Sequence, residues 1–129
     1  MQVPPYATEI KKYFTWMGED GICRTKVKEG SEIVLEDALE NSALVTSFYK
    51  GKKFPIMIDS RGIKSMSREA RNHFSARGRD SKTNSFGIIV KSPISRVVGN
   101  FFLGISKPSV PTKLFETEDE AKAWLKNFI

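Results

Sequence analysis

Apolar residues recur at two periods along this chain, and the period changes where turn residues intervene. From Ile10 to Met17 they alternate, with Ile10, Phe14 and Trp16 on one side, which predicts a strand. Gly18-Glu19-Asp20-Gly21 is turn chemistry, because glycine supplies the positive φ of a tight reversal. Ile22 to Lys28 alternates again, so the two strands form a hairpin. Cys23, Thr25 and Val27 are expected on the core face of the second strand, and Arg24, Lys26 and Lys28 on an exposed face. Residues 1–8, with Pro4 and Pro5, read as a leader into a single domain covering 1–129.

From Leu35 to Tyr49 the period lengthens to that of a helix. Leu35, Ala38, Leu39, Ser42, Val45 and Phe48 or Tyr49 form the predicted inward stripe, opposite Glu36, Asp37, Glu40 and Asn41. Lys50-Gly51 closes it. Phe54 to Asp59 is a continuous apolar run, as in a strand buried on both faces. Residues 60–65 read as a loop, and Ser67 is placed to cap a helix running to about Arg77. The polar stretch 78–85 is expected to be mobile, with Phe86 to Val90 the next buried strand. Ser92-Pro93 opens a helix to about Ile105, and Thr112 to Glu116 is a last strand. Thr117-Glu118-Asp119-Glu120 is a capping box for a final helix with Ala121, Trp124, Leu125 and Phe128 inward. The order ββαβαβαβα implies an α/β fold whose mixed, mostly parallel sheet is opened by a β-hairpin and covered by helices.

Composition narrows the class. The chain has 129 residues, 40% hydrophobic and 28% charged, which suits one globular domain able to bury a core without staples. No apolar run is long enough to cross a bilayer, and the first residues lack a signal-peptide core, so a cytoplasmic protein is expected. A lone cysteine, Cys23, excludes an internal disulfide and a thiolate metal cluster, and its alternating surroundings make it a core residue. The net charge of +6 is uneven. Arg61, Lys64, Arg68, Arg71, Arg77, Arg79 and Lys82 face only Glu69 and Asp80, a run that favours an anionic partner surface or ligand. Nucleic acid ranks below protein as that partner, because no aromatic–basic interleaving or DNA-binding motif accompanies the charge.

Candidate chemistry is sparse. Asp59 ends a buried strand, the place where α/β folds put ligands, yet its expected role is to cap its own loop. Ser60 lies in Asp-Ser-Arg-Gly and forms no nucleophile elbow, and the single histidine, His73, adjoins inward-facing Phe74 at the edge of the buried stripe, where a structural or solvent role is expected. No phosphate-cradling glycine loop is present. A non-enzymatic chain is therefore expected, with no catalytic residue, cofactor or metal. Gly99, Asn100 and Leu103 share a helix face open to close approach, which makes them a candidate homodimer contact.

At Ile56-Met57-Ile58-Asp59-Ser60-Arg61-Gly62-Ile63-Lys64-Ser65-Met66-Ser67 the chain resembles the STAS and SpoIIAA-like group of small bacterial domains. The likeness runs from about Glu9 to Ile129 in element order and includes "SPISRVVGNFFL", "KPSVPTKLF" and the "FETEDEAKAWL" junction. It implies no cofactor and regulation by docking an unidentified protein partner. The residues it marks as an interaction or switch region are Asp59, Ser60, Arg61, Ser65, Ser67, Arg68, Glu69 and Arg71. With Asp59 and Gly62 aligned, Ser67 falls at the usual acidic position and Glu69 at the usual phosphoacceptor, so the Asp-Ser-Ser-Gly pattern has become Ser67-Arg68-Glu69-Ala70. Ser65 and Ser67 remain as hydroxyls near Arg68 and Arg71. The alternative function is a small hydrophobic or anionic ligand-binding module, since such relatives resemble lipid-carrier folds and the helix from Pro93 is rich in Phe and Val.

Overall fold

The computed structural model describes residues 1–76, 82–91 and 110–129. The expected helix from Pro93 to Ile105, with Gly99, Asn100 and Leu103, lies outside the described residues, as do Arg77 and Arg79. The described elements are β1 (Thr8–Ile10), β2 (Tyr13–Met17), β3 (Cys23–Val27), β4 (Ser31–Ile33), α1 (Leu35–Ser47), β5 (Phe54–Asp59), β6 (Ile63–Met66), α2 (Arg68–Ala76), β7 (Thr83–Ile89), β8 (Thr112–Phe115), α3 (Glu118–Leu125) and a 3₁₀ turn at Lys126–Phe128.

Six strands form one sheet in the order β1-β2-β3-β5-β7-β8. The first three pair antiparallel, and β3, β5, β7 and β8 pair parallel. The mixed, mostly parallel α/β architecture expected from the sequence is therefore present. The first predicted strand is in fact two, since Lys11 and Lys12 make a turn that pairs Ile10 with Tyr13. Gly21, at φ 85°, supplies the reversal between β2 and β3. Residues ahead of β1 are tied to the sheet, for the Met1 side chain packs on the core and Lys26 Nζ donates to its carbonyl.

Both sheet faces are covered. On one, Cys23, Ile56 and Phe86 pack with Val45 of α1, and Val27 and Ile63 pack with Ala38 of α1 and Ala70 of α2. On the other, Ile22, Met57, Ile89 and Phe115 pack with Ala121 and Leu125 of α3. Thr117 caps α3 as expected, accepting from Glu120 N at 3.2 Å. The expectation that Arg24 is exposed is wrong, because its side chain folds back onto the β2–β3 turn. Arg24 is buried, and its guanidinium makes two 2.8 Å hydrogen bonds to the Asp20 carboxylate.

That pair has a measurable consequence. The hydrogen bonds from Arg24 outweigh partial burial and pull the Asp20 carboxyl down from 3.8 to about 2. A carboxyl depressed in the folded state stabilises above its unfolded pKa, and the gain is lost as pH falls through the folded one. Asp20 should thus contribute roughly 2 kcal/mol at neutral pH that disappears between about pH 4 and pH 2. Urea unfolding of wild type and Asp20→Asn at several pH values checks this: the stability gap should close on acidification. A gap that is constant with pH would show that the pair does not couple to folding.

Two further expectations change. Residues 60–65 are not simply a loop, because β6 emerges from them and pairs in parallel with β4. Such short strands show too little alternation to be read from sequence. Thr83 and Ser85, placed in the expected mobile stretch, are fully buried in β7. Their neighbour Asn84 is anchored, donating from Nδ2 to Phe128 O at 2.7 Å.

Candidate functional site

The carboxyl ends of β4 and β6 and the amino ends of α1 and α2 meet at one edge of the domain. β4 leads directly into α1, and β6 leads directly into α2. The two leads are stitched together by β4–β6 pairing and by Ser67 N donating to Ile33 O at 2.8 Å. Further along, Ser42 Oγ of α1 and His73 Nε2 of α2 are 2.7 Å apart, so the helices run side by side.

Asp59 lies away from this edge, at the carboxyl end of β5 on the sheet face that carries Met57 and α3, where it is buried with the Met1 ammonium 3.8 Å from Oδ2. Its Oδ1 accepts from Arg61 N at 3.1 Å and Nε at 2.9 Å, and its Oδ2 accepts from Arg61 Nη2 at 2.8 Å. Burial alone would raise this carboxyl, but the hydrogen bonds and charge of Arg61 outweigh it and hold Asp59 below the usual carboxylate range. Asp59 therefore caps its own loop, as expected. Ser60 is also internal, with Oγ donating to Ile89 O at 2.7 Å across the β5–β7 strand ends.

The remaining switch candidates divide by exposure. Ser67 is the α2 cap, its Oγ accepting from Ala70 N at 3.1 Å. Arg71 is half-buried and donates from Nη1 to Met66 O at 2.6 Å. Ser65, Arg68 and Glu69 are exposed, with Ser65 paired in register with Glu32 of β4. The two ends of the basic run lie apart. Arg61 lies at the carboxyl end of β5, whereas Lys82 lies at the amino end of β7, over the Tyr49 ring. Six strand residues separate these levels, roughly 20 Å.

The α1 stripe is rotated from the one its apolar spacing predicts. Asp37, Ala38, Asn41 and Val45 face inward, whereas Leu35 and Leu39 are 38% and 50% exposed. The inward polar groups are satisfied. Asp37 Oδ2 accepts from Lys12 Nζ at 2.8 Å and Val34 N at 2.9 Å. Asn41 Nδ2 donates to Thr15 Oγ1 at 3.1 Å and Thr25 Oγ1 at 3.2 Å, and Tyr13 Oη donates to Asp37 O at 3.2 Å. Burial raises the Tyr13 phenol above its ordinary value, with Glu40 and Asp37 adding to the shift. Sequence reasoning missed this inward network because buried Asp and Asn look like surface residues until their donors are in place.

Beneath α1 and α2 lies an apolar cavity of about 70 Å³, lined by Tyr13, Thr25, Asn41, Ile58, Phe74 and Ile88 among others. Among the described residues no cluster of His, Cys, Asp or Glu could hold a metal ion. No described helix is long and apolar enough to cross a membrane.

The sequence model of a domain of unknown function, DUF7793, matches residues 15–129. The chain belongs to that family. No curated protein matches the sequence. Among solved structures, this DUF7793 domain is similar to a Mycobacterium paratuberculosis anti-sigma factor antagonist, with 17% identity, 98% of this chain and 99% of that one covered, and a TM-score of 0.63. It is also similar to an uncharacterised DUF3478 protein with a SpoIIAA-like fold from Shewanella loihica PV-4. There the identity is 20%, the coverage 88% of this chain and 91% of that one, and the TM-score 0.58. An Arthrobacter sp. FB24 protein of unknown function is 33% identical over 86% of this chain and 96% of that one, with a TM-score of 0.35. The fold of this DUF7793 member is thus STAS/SpoIIAA-like, as the sequence resemblance implied.

Proposed function

We propose that this chain is a non-enzymatic regulatory domain that docks a partner protein at the edge where α1 and α2 begin. The observation that carries the reading is the exposure of Ser65, Arg68 and Glu69 beside two helix starts, while Ser67 caps α2 and ties it to β4. Recognition favours such an arrangement, since a preformed surface loses little freedom on binding. The anti-sigma factor antagonist among its structural neighbours supports a protein as the partner. Ser65 is the hydroxyl open to phosphorylation, and two added charges facing Glu32 would alter the edge by like-charge repulsion. The setting we propose is the cytoplasm.

A second reading has its own observation. The cavity beneath the helices is apolar, although its 70 Å³ is about half of a 150 Å³ cavity able to admit benzene, so only a slim apolar group enters without displacing the helices. One experiment separates the two. Tagged wild type and Glu69→Arg are used to capture partners from native lysate, and the eluates are weighed by native mass spectrometry. A stoichiometric protein on wild type, reduced at least about tenfold on Glu69→Arg, supports docking. Equal capture by both proteins sinks this edge as the docking site, and a small molecule bound in place of a protein favours the ligand reading.

A further inference from the structure

Three residues at the start of α1 break the local rules for a helix end. Val34 holds the N-cap position, where side-chain acceptors are preferred, and has none to offer. It is 44% exposed, and Leu35 and Leu39 follow it into solvent on the shoulder facing α2. The same rotation puts Asp37 and Asn41 in the interior, where they need dedicated partners. A sequence that spends its apolar positions outside and its polar ones inside departs from the arrangement that stability alone favours. Such departures collect at functional surfaces.

The surroundings of this apolar strip are acidic. Glu36 and Glu40 flank it on α1, and Glu32 precedes it on β4. Glu69 flanks it from α2, because it lies one turn before His73, which bonds Ser42 one turn beyond Ala38 and Leu39. All four carboxylates are exposed, and among the described residues none takes part in an ion pair. On a chain of net charge +6 these carboxylates outnumber the cations beside them, Arg68 and the Lys12 that is paired with Asp37.

We infer that the strip is the seat of a cationic amphipathic helix carried by a partner protein, its apolar ridge on Val34, Leu35 and Leu39 and its Lys or Arg residues on Glu32, Glu36, Glu40 and Glu69. The inference rests on the docking reading above and names the chemistry of its partner. A helix laid along a shallow apolar strip presents anchors at i, i+3 or i+4, and i+7, and the carboxylates on both flanks meet charges on both sides of its ridge. Like-charge partners are rejected, which gives specificity as well as affinity.

A fluorescent Leu/Lys amphipathic peptide of about 18 residues serves as the probe, with a Leu/Glu peptide of the same ridge as its control. Non-specific attraction to a basic protein would favour the acidic peptide. The expected result is the reverse: the Leu/Lys peptide binds at least about tenfold more tightly, and its affinity falls with salt. Leu35→Ser/Leu39→Ser and Glu36→Lys/Glu40→Lys should each lower that affinity at least about tenfold. All four substitutions are at exposed positions, and circular dichroism confirms that the variants fold. Equal or tighter binding of the Leu/Glu peptide overturns the inference, as does affinity unmoved by either double variant. Concentration-dependent dimerisation of wild type that is lost on Leu35→Ser/Leu39→Ser also overturns it, because a second copy then covers the strip. Lysate capture that depends on Glu69 while the peptides fail leaves the docking reading standing and removes only this partner chemistry.

Discussion

Leu125→Ala is expected to destabilise the folded chain by about 4 kcal/mol. Leu125 is fully buried in the cluster of Ile22, Met57, Ile89 and Phe115, and with Ala121 it forms the inward face of α3. The fit is close. A Cβ at residue 87 of β7 would come 2.9 Å from Leu125 Cδ1, so glycine at that position lets the leucine press onto the strand backbone. Truncation removes the transfer free energy of the side chain and leaves a cavity that backbone on one side and strand side chains on the other cannot collapse to fill. Urea denaturation gives the value directly. A loss below about 1.5 kcal/mol would mean that α3 re-seats easily and does not close the second sheet face. Gly87→Ala supplies the complementary test from overpacking, with an expected cost of about 1–3 kcal/mol.

The second large effect concerns the loop that follows β5. Asp59→Ala is expected to cost about 3 kcal/mol, because it removes a buried carboxylate that accepts three hydrogen bonds from Arg61. Arg61 is 30% exposed and can turn toward water, which keeps the cost at the lower end of that for a broken buried pair. Asp59→Asn keeps the shape and one acceptor oxygen, so it should lose less. Chemical denaturation of the two variants beside lysate capture separates structure from recognition. If Asp59→Ala unfolds at the wild-type midpoint yet loses its partner, Asp59 contacts that partner and the loop-capping role assigned to it is wrong. If it loses stability and retains capture while folded, Asp59 acts only by holding its own loop.

Much of this site was legible in residue order. The Asp59–Gly62 loop and the Ser67 cap are local events: a short side chain reaching a backbone N–H two or three residues away needs no distant partner. The Thr117 cap of α3 is local for the same reason. What failed in the reading failed over long range. The basic run from Arg61 to Lys82 looked like one surface because its charges are close in sequence, but the strand connections carry its ends to opposite ends of the sheet.

The sequence by itself determined the alternation of strands and helices, the buried central strands β5 and β7 and the local caps, because these follow from periodicity and near-neighbour chemistry. Tertiary structure alone decided which side of α1 faces inward. Asp37 and Asn41 could be buried only once Lys12, Tyr13, Thr15 and Thr25 of the antiparallel strands were brought opposite them, and that left Leu35 and Leu39 on the surface. Hydrophobic periodicity records how apolar each residue is but not which distant donors await it, so the surface assigned here to recognition became visible only in the folded chain.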